Sequence, residues 1–483
     1  MNHHNRDANK AMRHTRLMTT LSAAALLTGA AAPAFAAPFL VTSNADSGEG
    51  SLRAALQSAA ADGETSTIFV VAEGDIVIES TLTYDGEAPV VIYGRDHTVS
   101  TDANTTLFAA TAGADVAIYD MAFEGPGGFS IENRGDSDGD AGKGIFVDVR
   151  ENQTGIVTLQ LGNVTVSGVA NHGVHVSDCD LADDCGSGGG GAGGGSPASI
   201  NVVFEGVTIS DVGNGKFDAD GLRVDERDEG GIRLVSRNST YTLVGADGVE
   251  LDEGQAGSVV AANIGDSFTD NGAYCDPDIL MEFMPDEPEG EFAQGEVQEA
   301  DIPGDVTGTP DDGCFEREVS TYDDGSVEEY EIGIDLDDGF DIDEAGDGDL
   351  RSVVVGVSIT GNLDEGLDYD EEDAGEIDLA IWRSTAEGNT DDGYKSSEAG
   401  PGGVVGLMIG SAAHDNGGVG AVFEAEDGGA VNVAVANSQT SGNDGGELGL
   451  EAVNEGDDGG RLVVRASTIE DGIVAEGVER VEE

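Results

Sequence analysis

Apolar residues recur along the second half of the chain with a period of 27 residues. Short runs alternate between apolar and polar positions, which is typical of β-strands, and Gly, Asn or Asp residues separate them. About three such strands fit into one period, so each period predicts one coil of a solenoid, with matching residues stacked about 4.8 Å apart. The runs one period apart are 353–355, 380–382, 407–409 and 434–436.

A polar pattern keeps the same spacing. The heptapeptide 220–226 returns at 247–253, 338–344 and 365–371. The step from 247 to 338 is 91 residues, or two periods plus 37, so an insertion is expected to leave the stack near 275–314. Asn tolerates left-handed backbone, so stacked Asn residues are expected at the corners of the coils. The positions that open successive units are Asp335, Asn362, Asn389, Asn416 and Asn443.

The first 36 residues have the pattern of a secretory signal peptide. Basic residues precede an Ala/Leu-rich stretch, which ends at 34–36 on Ala-Phe-Ala. Cleavage near Ala36 predicts an exported protein, extracellular or periplasmic. No other apolar run approaches the roughly 20 residues of a membrane-spanning helix, so no transmembrane segment is expected.

Residues 37–64 are expected to close the open end of the solenoid. The pattern predicts a strand near 39–43 and a short helix over 51–59 with Ser51 as its N-cap. The stretch 41–55 resembles the entry segment of bacterial extracellular β-helix proteins of the pectate-lyase-like superfamily. This resemblance implies an all-β chain, a single right-handed parallel β-helix over 65–483. It leaves function open, since that superfamily contains lyases, hydrolases, adhesins and inert surface proteins.

Four cysteines in an exported chain suggest disulfides, although the sequence alone allows three connectivities. The favoured pairs are Cys179 with Cys185 and Cys275 with Cys314. The first pair lies in a loop insertion at about 179–197, which contains a Gly-rich tract. The second would close the neck of the insertion at about 275–314.

Charge limits the possible partners. Acids outnumber bases 96 to 21, and the formal net charge of -75 excludes nucleic-acid binding. Stacked like charges destabilise neighbouring strands, so acidic columns need cations. Calcium, which accepts about six to eight oxygen ligands, is one answer; molar salt, with a Debye length of about 3 Å, is the other. The predicted columns are Asp337, Asp364 and Asp391; Asp341, Asp368 and Lys395; and Glu344, Glu371 and Glu398.

The segments 337–341, 364–368 and 392–395 resemble the site of calcium-dependent pectate lyases of polysaccharide lyase family 9. The resemblance implies that Lys395 is the base that removes the C5 proton of a uronate in a β-elimination. The alternative is a salt bridge in which Lys395 relieves the acidic column. The carboxylates that the resemblance implies as calcium ligands are Asp337, Asp338, Asp341, Asp364 and Asp368.

Three weaker signals have simpler interpretations. The acids in 389–392 faintly resemble those of β-helical polygalacturonases, but the further signatures of that family are absent. His172 and His175 share one side of a strand without an evident third metal ligand, which favours a polar surface. Trp382 lies over Val355 and under Ile409 in the predicted stack, which favours the core over an outward platform for a sugar.

The sequence therefore predicts a calcium-binding β-helix protein, monomeric and associated with an extracellular polysaccharide or cell-surface component. Two functions fit this description. One is a calcium-dependent uronate lyase, and the other is a non-catalytic acidic surface, matrix or adhesion scaffold, adapted to salt.

Overall fold

In the repeated part of the protein each coil consists of three β-strands, and successive coils stack in parallel into a right-handed β-helix. One coil contains the strands Phe340–Gly346, Leu350–Val355 and Ser358–Thr360. The computed structural model describes residues 38–134, 142–179, 195–426, 428–456 and 459–482. The predicted leader, Cys185 and the Gly-rich tract lie outside these residues. The predicted all-β parallel solenoid is confirmed.

The first strand of each coil belongs to a sheet that we call the narrow sheet. Within the described residues it has 12 strands, all parallel, and its outer face carries the candidate site. Its strands are Leu82–Tyr84, Phe108–Ala110, Ile145–Asp148, Val174–Ser177, Leu222–Glu226, Val249–Glu253, Phe340–Gly346, Leu367–Asp373, Ser397–Ala399, Val422–Ala425, Leu448–Asn454 and Gly472–Glu476.

The other strands of the coils form the broad sheet, which has 23 strands among the described residues. They are Phe39–Val41, Ser66–Val70, Ile76–Val77, Val90–Ser100, Val116–Glu124, Gly155–Ser167, Ala198–Glu205, Thr208–Ser210, Ile232–Arg237, Thr240–Thr242, Val259–Ile264, Ser267–Thr269, Leu350–Val355, Ser358–Thr360, Ile377–Trp382, Thr385–Glu387, Val404–Ile409, Ala412–His414, Val431–Ala436, Gln439–Ser441, Gly460–Arg465, Thr468–Ile469 and Glu479–Glu482.

The register confirms the 27-residue period in the middle of the chain. Phe340 pairs with Leu367 across neighbouring coils. Val249 pairs with Phe340, 91 residues later, so the stack continues across the insertion. Some earlier coils are longer, and Gly155 pairs with Ala198, 43 residues later. Longer turns add residues there without changing the register of the strands.

The core is a column of apolar side chains inside the coils. Inward positions alternate with outward ones along each strand, as strand geometry requires. Tyr241 stacks on Phe268 with ring centroids 4.9 Å apart, and Phe268 stacks on Phe340 at 5.7 Å. Trp382 faces outward and is 47% exposed, so its predicted core position is wrong. It ends its strand at an outward position of this alternation.

A buried ladder of Asn side chains runs along one corner. Each amide Nδ2 donates to the Oδ1 of the next Asn, for example from Asn389 to Asn416 at 2.9 Å. The expected left-handed backbone lies instead on the preceding residue, such as Gly361 with φ 68°. Asp335 is not a member, because the position before the insertion belongs to Asn271. The members are Asn271, Asn362, Asn389, Asn416 and Asn443.

A short helix covers the N-terminal end of the core. It spans Leu52–Asp62, and the side chain of Ser51 accepts a hydrogen bond from the backbone N–H of Ala54. Gly63 ends the helix with a left-handed backbone. Leu52 and Leu56 are buried against the first coils, so the helix shields core side chains that would otherwise meet water.

The insertion has structure of its own. It contains the helix Pro277–Leu280 and an antiparallel sheet of Glu289–Glu291, Phe315–Thr321 and Val327–Ile334. The disulfide Cys275–Cys314 is present, with the two Cα atoms 5.4 Å apart. The sheet continues the insertion to Ile334. The short 3₁₀ helices are Glu299–Asp301, Asp312–Cys314 and Asn443–Gly446.

In the described part of the chain, no helix is both long enough and apolar enough to span a membrane.

Candidate functional site

An acidic groove of about 510 Å³ lies on the outer face of the narrow sheet. Its floor is formed by outward positions of the strands Val249–Glu253, Phe340–Gly346 and Leu367–Asp373. The insertion contributes Glu316 and Glu318 to the wall. The groove contains all six residues that the sequence predicted as ligands or base: Asp337, Asp338, Asp341, Asp364, Asp368 and Lys395.

The repeat explains why these residues meet. Asp341 and Asp368 are paired directly across neighbouring strands. The backbone N–H of Lys395 donates to the carbonyl of Leu367 at 2.8 Å, which keeps Lys395 in the same column one coil later. Since the backbone register is constant, the side chains project from the same face. The predicted column of Asp341, Asp368 and Lys395 is therefore present.

Three carboxylates form a compact cluster at the turn that precedes the floor strands. Oxygens of Asp338, Asp364 and Glu365 lie within 4.8 Å of one another. Oδ1 of Asp338 is buried and has no hydrogen-bond donor. Burial, and then the neighbouring Glu365, raise the pKa of Asp338 well above its usual range and that of Asp364 to about 9. An oxygen-only cluster that repels its own charge fits a hard cation such as calcium.

Glu365 was not predicted as a ligand. It occupies the place of the second Asp in the Asp-Asp-Gly pattern at 364–366, so it does not match the motif from which the ligands were predicted. The structure shows that its longer side chain reaches both Asp364 and Asp338. Stacking could have indicated this, because Glu365 lies one period after Asp338.

The other predicted ligands do not join the cluster of Asp338, Asp364 and Glu365. Asp341 lies in a second carboxylate cluster with Glu250 and Asp343. The guanidinium of Arg223 forms an ion pair with Glu250, so this cluster already has a cation beside it. Asp337 lines the groove but is not part of either cluster among the described side chains. The structure does not bring the five predicted ligands together at one point.

Lys395 is held by two carboxylates. Its Nζ donates to Oδ2 of Asp368 at 2.6 Å and to Oε1 of Glu365 at 3.3 Å, and its side chain is 30% exposed. Burial opposes the charge on Lys395, but Asp368 and then Glu365 outweigh it and raise the pKa of the lysine. Burial raises the pKa of Asp368 to about 6 despite the lysine. Lys395 is therefore protonated in this arrangement.

The outward column that contains Asp341 continues toward the N-terminus through Glu250, Arg223 and His175. His175 is buried, and its Nε2 lies 2.6 Å from Oδ2 of Asp225. Burial, and then Lys143, lower the pKa of His175 to about 4. His172 is buried too, and its Nδ1 accepts a hydrogen bond from the backbone of Asp220. The predicted polar surface for this His pair is wrong, because both side chains are buried.

Comparisons with known proteins give only distant likenesses. No family model matches the chain, and no curated protein matches it. Among solved structures, the A-module of the Azotobacter vinelandii mannuronan C-5 epimerase AlgE6 is 9% identical, with 92% of this chain and 99% of that chain covered and a TM-score of 0.32. A mutant of the periplasmic alginate epimerase AlgG is 9% identical, with coverages of 87% and 78% and a TM-score of 0.35. Likeness at this level transfers no activity or substrate.

Proposed function

We propose that this chain is an exported calcium-binding protein whose acidic groove holds an anionic polysaccharide. The observation that carries the proposal is the cluster of Asp338, Asp364 and Glu365, with a buried oxygen of Asp338 that has no donor. Ionised carboxylates this close repel one another, and a divalent cation removes that cost. The groove volume of about 510 Å³ is within the usual range for small-ligand sites.

The charge of the groove favours a cation-bridged ligand. The floor carries Asp341, Asp343, Asp368 and Asp370, which would repel a uronate carboxylate. Calcium on the Asp338 cluster would supply positive charge that binds this carboxylate and acidifies the adjacent C5–H bond. The polysaccharide therefore depends on the metal for binding, whichever function follows.

A uronate lyase is the first candidate. Lys395 lies in the same groove as the cluster, and Glu365 contacts both the lysine and the cluster. When Glu365 is engaged by a cation, one of the two charges that hold the lysine protonated is neutralised, and its pKa falls. Neutral Lys395 would take the C5 proton onto Nζ as the C4=C5 bond forms and the C4–O bond breaks. The departing oxygen would take a proton from water, which gives an unsaturated uronate and a new reducing end.

A non-catalytic acidic scaffold is the second candidate. The double ion pair of Lys395 with Asp368 and Glu365 favours it, because this arrangement stabilises the protonated lysine. In this function calcium would stabilise the coils or link them to a cell-surface polysaccharide.

A thermal melt tests calcium binding. We expect millimolar-range calcium to raise the melting temperature in a background of about 1 M sodium chloride, because a ligand that binds the folded state stabilises it. Asp364→Asn should lose this shift. Asp378→Asn, an exposed position on the broad sheet, should keep it. If sodium chloride alone reproduces the whole shift, or if Asp364→Asn keeps it, the cluster is not a calcium site.

Product formation separates the two candidates. Polyuronates are incubated with calcium, and the absorbance of the unsaturated product is followed. The lyase predicts a calcium-dependent rise that Lys395→Met abolishes; the scaffold predicts no product from any polyuronate, with calcium stabilisation intact. A rise that is equal in Lys395→Met would exclude this lysine as the base.

A further inference from the structure

A second acidic column lies inside the β-helix, on the opposite side of the narrow sheet from the groove. Five glutamates are paired from coil to coil by the register of this sheet, and none of them has any exposed surface. At the N-terminal end of this column Asp178 lies one coil before Glu226, and at the other end Glu398 pairs with Ala425. We call this set the glutamate ladder: Glu226, Glu253, Glu344, Glu371 and Glu398.

Glycines close each rung off from solvent. Four residues after each glutamate the chain returns over its side chain, and the backbone N–H of Gly375 donates to Oε1 of Glu371 at 2.7 Å. Gly257 and Gly402 do the same for Glu253 and Glu398. A Cβ on Gly375 would collide with this carboxylate and with the carbonyl of the preceding coil. The turns therefore pack closely over the buried rungs.

Two rungs of the ladder lack donors for both of their carboxylate oxygens. Both carboxylate oxygens of Glu226 and of Glu344 are buried without a hydrogen-bond donor. Arg227 lies beside the first rung, but its guanidinium is bonded to the side chain of Asp252 and to backbone carbonyls. Asp178 accepts its hydrogen bonds from the backbone of Ser196 and Arg227. If the column were ionised, Glu226 and Glu344 would thus be unpaired charges, and neighbouring rungs would repel one another.

Two agents could neutralise such a column, a proton or a metal ion. Calcium needs about six to eight oxygen ligands. The backbone groups that point at the rungs are N–H donors, which repel a cation. The carboxyl of Glu344, by contrast, lies within hydrogen-bonding reach of Glu253 and Glu371. A proton placed between neighbouring rungs supplies the missing donor and removes the charge at once.

We propose that the glutamate ladder is a proton-sharing device: its carboxyl groups hydrogen-bond from coil to coil in the protonated form, and the β-helix loses stability when alkaline conditions ionise them. This inference does not depend on the function of the groove.

The direction of the pH effect follows from the environment. Burial, and then hydrogen bonding to a neighbouring rung, raise the pKa of Glu226 and Glu344 to about 10. Burial raises the pKa of Glu371 to about 8. A carboxyl whose folded-state pKa is raised contributes full stability below its unfolded pKa of about 4.5 and loses it as the pH rises toward 8 to 10. Asp178, with a pKa raised to about 7, faces the first rung and titrates in the same direction.

Glu344→Gln tests the proposal, because an amide is a neutral mimic of the protonated carboxyl. Urea unfolding is measured with a chelator at about pH 5 and about pH 9, where the pH remains above the pKa of about 4 of His175. The wild type should lose stability between these values. Each unit by which folding raises a pKa changes the folding equilibrium constant by about tenfold. Between about pH 5 and about pH 9 this constant should therefore fall at least about a hundredfold less in the variant than in the wild type.

General charge repulsion also grows with pH, so a control is needed. Glu376→Gln removes the same charge at an exposed position of the next coil and should keep the wild-type pH dependence. If Glu344→Gln also keeps the wild-type pH dependence of stability, the ladder does not hold protons. If calcium restores the stability of the wild type at about pH 9 but does not change that of Glu344→Gln, the column holds a metal ion, and the proposal is wrong in that case too.

Infrared spectroscopy gives a readout that does not require unfolding. At neutral pH the folded protein should show the C=O stretch of protonated, buried carboxyl groups. The band should weaken in Glu344→Gln and persist in Glu376→Gln. A folded wild type without this band would overturn the proposal even if the variant failed to fold.

Discussion

Replacing Lys395 by Met tests the electrostatics of the groove. The substitution keeps the length of the side chain and removes the charge that pairs with Asp368 at 2.6 Å and with Glu365 at 3.3 Å. Removing one partner of a fully buried pair costs about 3–5 kcal/mol. Because the lysine is 30% exposed, solvent screening reduces the expected cost to about 2 kcal/mol at about pH 8.

The cost should depend on pH. Asp368 has a pKa raised to about 6, so its ionisation already lowers stability as the pH rises from its unfolded value of 3.8 toward 6. Without Lys395 this pKa rises further, and the loss extends to higher pH. At about pH 5 Asp368 is largely protonated, so Lys395→Met should cost less than about 1 kcal/mol there. Urea unfolding in chelator at both pH values measures the difference.

Calcium affinity gives the second arm of this test. Nζ of Lys395 competes with a cation for Glu365, so Lys395→Met should bind calcium more tightly than the wild type in isothermal titration calorimetry. Lys216→Met changes the net charge equally outside the groove and should leave the affinity unchanged. A stability cost that is equal at both pH values, together with unchanged calcium affinity, would refute the assigned ion pairs.

Two further predictions concern the scaffold. Asn389→Ala removes the acceptor of two hydrogen bonds from Asn362 and the donor to Asn416, so it should cost about 3–5 kcal/mol in urea unfolding; a loss below about 1 kcal/mol would contradict the ladder. Cys314→Ser opens a loop with a sequence separation of 39, which corresponds to about 4 kcal/mol in the chain-entropy model, and the insertion should then be cleaved faster by protease. Equal cleavage of wild type and variant would show that the bridge does not hold the insertion.

The sequence predicted the column of Asp341, Asp368 and Lys395 because a constant period fixes a constant register. Once coils stack in parallel, residues one period apart must be neighbours, whatever their chemistry. The same reasoning failed at Asp335, where counting back by one period reaches the end of the insertion rather than the coil. The chain before the insertion supplies Asn271 to the corner instead.

The sequence could not predict which carboxylates form a cluster, for a different reason. A repeat shows which residues share a column, but a cation site needs side chains that converge from adjacent columns and coils. Asp338 meets Glu365 of the next coil, whereas Asp341 meets Glu250 of the preceding coil and the charge of Arg223. These distances depend on turn geometry and side-chain length, which the period does not contain.

The two acidic columns of the narrow sheet show how position decides the way a charge is neutralised. Asp341 and Glu344 belong to one strand, yet alternation sends the first to the open groove and the second to the dry interior. In the groove a hydrated cation can enter and oxygen ligands converge; in the interior the turns pack over the rungs, and a proton shared between neighbouring carboxyl groups removes the charge. The calcium cluster of the groove and the glutamate ladder should therefore respond to pH in opposite ways. Calcium affinity should rise toward alkaline pH as Asp364, with a pKa of about 9, ionises, while the ladder that supports the coils weakens. If calcium affinity rises with pH while the stability of the calcium-free protein falls, the two arrangements are distinguished from a surface on which salt screens all the acids.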